Sequence, residues 1–137
     1  MDYIAMIDNF SCSFKRNAIS EAMGTEVISC GHLSDRTDYY CRDRERGDYM
    51  LLLTLTGNAW VKEDRRQKEL LPGEWFMLRP GLVHSYRDRT PWTFAYVHFC
   101  GRTVDRIVSE LAFFKRDTLG FRQYSGEARE LLSRLIA

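Results

Sequence analysis

Residues 49–99 read YMLLLTLTGNAWVKEDRRQKELLPGEWFMLRPGLVHSYRDRTPWTFAYVHF. The stretch breaks into short runs rich in β-branched and aromatic residues: Tyr49–Thr56, Ala59–Lys62, Lys68–Leu71, Trp75–Leu78, His84–Tyr86 and Trp92–Phe99. Turn signals separate them, namely Gly57-Asn58, Glu63-Asp64, Pro72-Gly73, Pro80-Gly81 and Thr90-Pro91. Two runs upstream, Thr25–Cys30 and Asp38–Cys41, have the same character. Strands this short and this frequent leave no room for the helical crossovers of a parallel sheet, so the pattern predicts an all-β barrel or sandwich. Within the last run, Trp92, Phe94, Tyr96 and His98 fall on one face and Thr93, Ala95, Val97 and Phe99 on the other. The first face carries rings with polar tips, the composition of a pocket lining. His84 and Tyr86 share a face on their own strand for the same reason of period.

Outward from this stretch the signals change. Residues 1–24 hold apolar side chains (Ile4, Met6, Ile7, Phe10, Phe14) without a sustained period and are expected to form an arm packed on the main body. Residues 102–137 turn helical. Val104, Ile107, Val108 and Leu111 recur at i, i+3, i+4, i+7, as do Ala128, Leu131, Leu132 and Leu135, with Thr103 and Ser125 as candidate N-caps. The second stripe is still running at Ala137 with no glycine cap, as expected of a longer protein cut inside or just after a helix. The connection from Lys115 to Gly126 is too long for a helix-turn-helix, so DNA binding is not expected from this chain itself.

Composition bounds the function further. The chain has 137 residues, enough for one domain with a core. Twenty basic residues against 19 acidic give a formal net charge of +1, which provides no broad attraction to phosphate backbones or anionic lipids. The basic clusters Arg42, Arg44, Arg46 and Arg65, Arg66, Lys68 are interleaved with acids and read as solvated loops. The four cysteines form no C-x-x-C pair, no secretory signal precedes them, and no apolar run approaches a membrane span. The expectation is a cytoplasmic protein with reduced thiols and no membrane partner.

The ordered set Arg46-Gly47-Asp48-Tyr49-Met50-Leu51-Leu52, Leu55-Thr56-Gly57, Leu71-Pro72-Gly73-Glu74, Arg79-Pro80-Gly81-Leu82-Val83-His84-Ser85-Tyr86, Pro91-Trp92 and Tyr96-Val97-His98-Phe99-x-Gly101 resembles the N-terminal sensing domain of AraC-family transcription regulators. The match runs from Gly31 to Gly101, about half of the chain. The resemblance implies a mainly β fold, a double-stranded β-helix (cupin or jelly-roll) barrel followed by a C-terminal α-helical pair. Residues 1–101 would be the arm and sensing barrel. Residues 102–137 would be a dimerisation segment, and a DNA-binding helix-turn-helix domain would lie outside this chain. The implied function is effector binding, of a sugar or another small molecule, by a homodimer that reaches DNA only through that second domain. The alternative is a metal-dependent cupin enzyme of isomerase or dioxygenase type.

The resemblance also suggests site residues. Arg42 aligns with an early barrel arginine that supplies donors to the ligand; read alone, it is equally a surface member of the run Arg42, Arg44, Arg46. Tyr86 matches a pocket tyrosine, and Tyr96 stands where a sugar ring stacks. Phe94 replaces a polar pocket residue, which points away from arabinose toward a less polar ligand. His84 and His32 are further candidates, and Trp92 reads as core. The dimer face is expected at Ala128, Leu131, Leu132 and Leu135, which could equally pack on the barrel of the same chain.

No catalytic residue and no cofactor is expected. Metal-binding cupins carry two His and a Glu on the strand that corresponds here to Met50–Thr56, which has neither residue type. A three-His site from His32, His84 and His98 would need all three to converge from separate strands. There is no G-x-S-x-G elbow and no glycine-rich phosphate loop.

Overall fold

In a computed structural model the described residues are 10–110, 122, 123 and 134. They form β1 (Phe10–Ser13), α1 (Ala18–Met23), β2 (Glu26–Arg36), β3 (Tyr40–Arg44), β4 (Tyr49–Thr56), β5 (Ala59–Glu63), β6 (Arg66–Leu70), β7 (Glu74–Leu78), β8 (His84–Asp88), β9 (Trp92–Cys100), α2 (Arg102–Glu110) and β10 (Arg122–Gln123). The strands lie in two antiparallel sheets, one ordered β1-β2-β9-β4-β7-β10 and the other β3-β8-β5-β6. The expected mainly β architecture holds, and each strand expected between residues 25 and 99 is present with its ends moved by a few residues.

One apolar cluster draws from both sheets. Met50, Leu52, Phe76, Leu78, Trp92 and Phe94 come from the larger sheet and Ala59, Val61 and Leu70 from the smaller. Strict alternation on β5 shows why: Ala59, Val61 and Glu63 are buried while Trp60 and Lys62 are exposed. Both faces of β9 are covered, since Ala95 on its outer side is as buried as Trp92 and Phe94 on its inner side. Gly57 makes the β4–β5 turn possible: its φ is +76°, and an added Cβ would meet the Pro91 carbonyl oxygen.

Three elements depart from the sequence expectation. Strand β2 continues to Arg36 instead of stopping at Cys30. Gly31, Ser34 and Asp35 interrupt the apolar pattern, but β1 pairs with Gly31 and His32, β9 pairs along the segment from the other side, and a register shift between Leu33 and Arg36 absorbs its irregularity. Residues 10–24, expected as an unpatterned arm, contain β1 and the short helix α1. Asn17 and Ser20 form a reciprocal capping box there, and Gly24 ends the helix with φ +67°. Residues 122 and 123, inside the expected helix connection, pair with β7 as β10.

The first expected helix is α2. Val104 and Val108 pack on Tyr49, Met77 and Phe99, and Ile107 stays exposed. Thr103 does not cap it: its hydroxyl donates to Met23 O (2.8 Å), and the Gly101 carbonyl accepts the first helical bond from Asp105 N (2.9 Å). The stripe Ala128, Leu131, Leu132, Leu135 and the candidate cap Ser125 lie outside the described residues.

A buried ion pair fastens β5 to the segment after β7. Glu63, 1% exposed, accepts from Arg79 N (2.9 Å), Nε (3.1 Å) and Nη2 (2.7 Å). Removing the carboxylate strands a guanidinium that is itself mostly covered. Glu63→Ala is therefore expected to lower stability by about 3–5 kcal/mol, read as a reduced urea midpoint at unchanged m-value.

Candidate functional site

The inner face of β9 carries a continuous file of rings. Trp92 stacks on Phe94 (4.0 Å between centroids), Phe94 meets Tyr96 (6.3 Å), and Tyr96 meets His98 edge-on (5.5 Å). The file changes character along its length. Trp92 and Phe94 are fully buried in the apolar cluster, where Trp92 Nε1 donates to Thr54 Oγ1 (3.1 Å). Tyr96 and His98 border a cavity of about 240 Å³ between the sheets. Its walls are Ser11, Ser13, Ser29, Tyr39, Arg44, Arg46, Met50, His84, Tyr86, Tyr96 and His98. Of these eleven residues only Met50 lacks a good hydrogen-bonding group.

The expected site residues divide. Tyr86, Tyr96 and His84 meet at this cavity, with His84 and Tyr86 stacked 6.2 Å apart and nearly parallel. Phe94 belongs to the dry core beneath it, in contact with Trp92 and Tyr39. The inference of a less polar ligand from Phe94 therefore does not hold: Phe94 is not a wall, and the walls are polar. His32 is fully buried but pairs with Ala95, on the face of the larger sheet opposite to Tyr96. The three imidazoles accordingly do not converge. Among the described residues no group of three or more His, Cys, Asp or Glu is placed to hold a metal ion.

Arg42 also lies elsewhere. Its side chain is 84% exposed beside Asp43, and it lines a separate groove of about 630 Å³ with Tyr40, Trp60, Lys62 and Arg87 on the outer surface of the smaller sheet. A bulge explains the displacement. Cys41 pairs with Tyr86 and Arg44 with His84, so three steps on β3 oppose two on β8. Asp43 absorbs the extra residue at φ +45°, with its N–H donating to Ser85 Oγ (2.8 Å). Strict alternation would keep Arg42 and Arg44 on one face. With the bulge, Arg42 points out and Arg44 reaches the cavity.

Sequence reasoning also passed over Tyr39, Arg46 and the three serines. Tyr39 enters by stacking on Tyr86 (6.1 Å), its backbone N–H held by Asp88 Oδ1 (2.9 Å). Arg46 and Asp48 form a two-pronged pair across Gly47, Nε to Oδ1 at 2.7 Å and Nη2 to Oδ2 at 2.8 Å. The alternation of small and polar residues in Ser11–Ser13 is the one signal that marks β1 as a wall. Ser11 Oγ and Tyr96 Oη lie 3.0 Å apart and join β1 to the ring file.

The electrostatics follow from this packing. Burial alone would lift the Asp48 carboxyl, but hydrogen bonds from Arg46 and the nearby His98 outweigh it and hold the group below its usual range. Burial, reinforced by the positive charge of Arg46, pushes the His98 imidazole down to about 4, although its Nδ1 lies 3.5 Å from Asp48 Oδ1. Burial and Arg46 lower His84 as well. Burial raises the Tyr39 and Tyr86 hydroxyls. At neutral pH the cavity therefore presents uncharged imidazoles and phenols, with its positive charge on guanidinium groups.

A pH dependence follows. His98 titrates near 6.5 when unfolded and near 4 when folded, so between those values the unfolded chain binds more protons. Its stabilising contribution is complete above pH 6.5 and falls away as the pH drops toward 4, by about 3 kcal/mol in all. Urea unfolding at pH 7 and pH 4.5 should show this loss, and His98→Gln should reduce it; equal losses in both proteins would exclude His98 as the source.

Comparison with known proteins bears on both fold and family. The YhaK protein of Escherichia coli is similar in fold at TM-score 0.56 and 14% identity, over 68% of this chain and 44% of that one. The cupin domain of Schizosaccharomyces pombe Cnp3 is similar at TM-score 0.52 and 13% identity, over 72% and 63% of the respective chains. Bacillus subtilis oxalate decarboxylase is similar at TM-score 0.51 and 13% identity, over 69% of this chain and 26% of that one. This chain thus spans less than two thirds of each of these proteins, and at such identities the likeness is one of fold alone. The search of curated proteins finds no significant match. Residues 26–137, most of the sequence and all of β2 to β9, match the model of the AraC-like ligand binding domain, and the chain belongs to that family.

Proposed function

We propose that this chain is the effector-sensing domain of an AraC-type transcription regulator and that it binds a small polar molecule in the cavity between its two sheets. The observation that carries the reading is the wall composition: ten of eleven residues around one inter-sheet cavity offer hydrogen-bonding groups, and three tyrosine rings supply apolar faces. The role is binding and not catalysis. The cavity chemistry, with imidazoles held neutral and phenols held protonated, suits recognition of hydroxyl and carbonyl groups. Tyr86, Tyr96 and His84 are the ligand contacts in this reading, joined by Tyr39, Arg44, Arg46 and His98.

Binding becomes a signal only if the ligand has different affinity for two states of the protein. Strand β1 is the element suited to carry it, since Ser11 and Ser13 line the cavity and Ser11 meets Tyr96. A ligand that satisfies these groups favours the conformation in which β1 is paired. We place the readout in the geometry of a homodimer formed through Ala128, Leu131, Leu132 and Leu135, with DNA engaged by a separate domain, in the cytoplasm. No described helix is long and apolar enough to cross a membrane.

A thermal-shift screen over sugars, sugar acids and small aromatics tests the site. A cognate ligand at a hundredfold excess over its Kd should stabilise the protein by about 2.7 kcal/mol. Tyr96→Phe and Tyr86→Phe should each weaken binding by about 1 kcal/mol with the fold retained, and Arg42→Ala should leave the ligand shift unchanged. Loss of the shift in Arg42→Ala alone would move the site to the outer groove.

A further inference from the structure

The geometry points to a ligand with a single negative charge, a carboxylate received by Arg44 at the cavity rim while the serine and tyrosine hydroxyls take its uncharged remainder. This rests on reading the inter-sheet cavity as the ligand site, and it follows from an inventory of charge around that cavity.

Two guanidinium groups line the cavity and no acidic residue does. The acids that pack around it are engaged elsewhere, and Glu45, between the two arginines in sequence, is exposed and does not line the cavity. Asp48, behind the wall, is taken by both prongs of Arg46. Glu63, the strand partner of His84, is taken by Arg79. Asp88 holds the backbone N–H groups of Asp38 and Tyr39. Asp43 sits at the bulge between Arg42 and Ser85. Asp105 accepts from the Tyr49 hydroxyl, on the far side of the larger sheet. Arg46 is thus neutralised by Asp48, whereas Arg44 forms no ion pair among the described residues. Its charge also reaches inward, depressing both His84 and His98. The lining residues together with Asp48 carry one positive charge more than they balance, in a space partly shielded from solvent. A monoanion matches it, a cation is repelled, and a neutral polyol leaves the surplus unanswered. A carboxylate fits best among anions, because a guanidinium offers two parallel donors to its two oxygens.

The histidines provide the test. His84 and His98 line the cavity and His32 lies on the opposite face of the larger sheet, so their ring proton resonances separate binding in the cavity from effects elsewhere. The chain is titrated with two matched pairs at constant ionic strength: acetate against acetamide, and gluconate against sorbitol. The expected result is a saturable shift of His84 and His98, not of His32, with each acid binding at least about tenfold more tightly than its neutral counterpart. Arg44→Gln, at an exposed position, should erase that preference, and Arg44→Lys should restore part of it. Neutral compounds that move His84 and His98 as readily as the acids would overturn the charge assignment and leave the cavity as a ligand site. An acid preference that survives Arg44→Gln would likewise overturn it. If all four compounds leave both resonances unmoved, the cavity reading falls and the charge assignment falls with it.

Discussion

The passage from dry to wet along the inner face of β9 governs the rest of the molecule. Trp92 and Phe94 stack at 4.0 Å, both fully buried, and together they face Ala59, Val61 and Leu70 of the smaller sheet in the apolar cluster that joins the two sheets. Two residues further on, Tyr96 and His98 carry polar atoms, and the sheets enclose a cavity instead of closing. The same strand therefore contributes both the hydrophobic stabilisation and a wall of the proposed ligand cavity. Its position fixes both roles, since β9 pairs with β2 on one side and β4 on the other. Burial of large rings at one end supplies the stability that an open polar cavity at the other end does not.

The cavity depends in turn on residues that do not look like site residues. Arg46 and Asp48 hold each other across Gly47, and their pairing keeps a carboxylate directly behind His98. Without Asp48 two guanidinium groups would face the same small space. Without Arg46, Asp48 would be a buried carboxylate whose remaining near partner, His98, is neutral at physiological pH. The pair shapes the potential within the cavity, so that in the proposed reading the ligand meets Arg44 and the hydroxyl groups.

Much of this was legible in the sequence, for specific reasons. Period-two alternation located Tyr96 and His98 on one face and put His84 beside Tyr86, because a strand with two covered faces has little freedom of register. The turn dipeptides placed β4 to β9. Alternation failed wherever the strand departed from regularity. His32 lies two residues beyond the expected end of β2, in a segment whose extended form depends on partners distant in sequence. Arg42 aligns with an early barrel arginine by position, and position along the sequence does not register the extra residue in β3. Tyr39 and the Arg46–Asp48 pair depend on tertiary contacts that no local period announces. The helical stripe of residues 128–135 lies outside the described residues, so its role stands as proposed.

The bulge at Asp43 has a consequence for how related chains can diverge. The extra residue sets Arg42 and Arg44 on opposite faces of β3, so a related chain whose strand ran without the bulge would present both arginines on one face although its side chains were the same. Selectivity in such a lineage can drift through strand irregularity as readily as through point substitutions. A profile that scores only matched columns would record the two chains as having the same pocket.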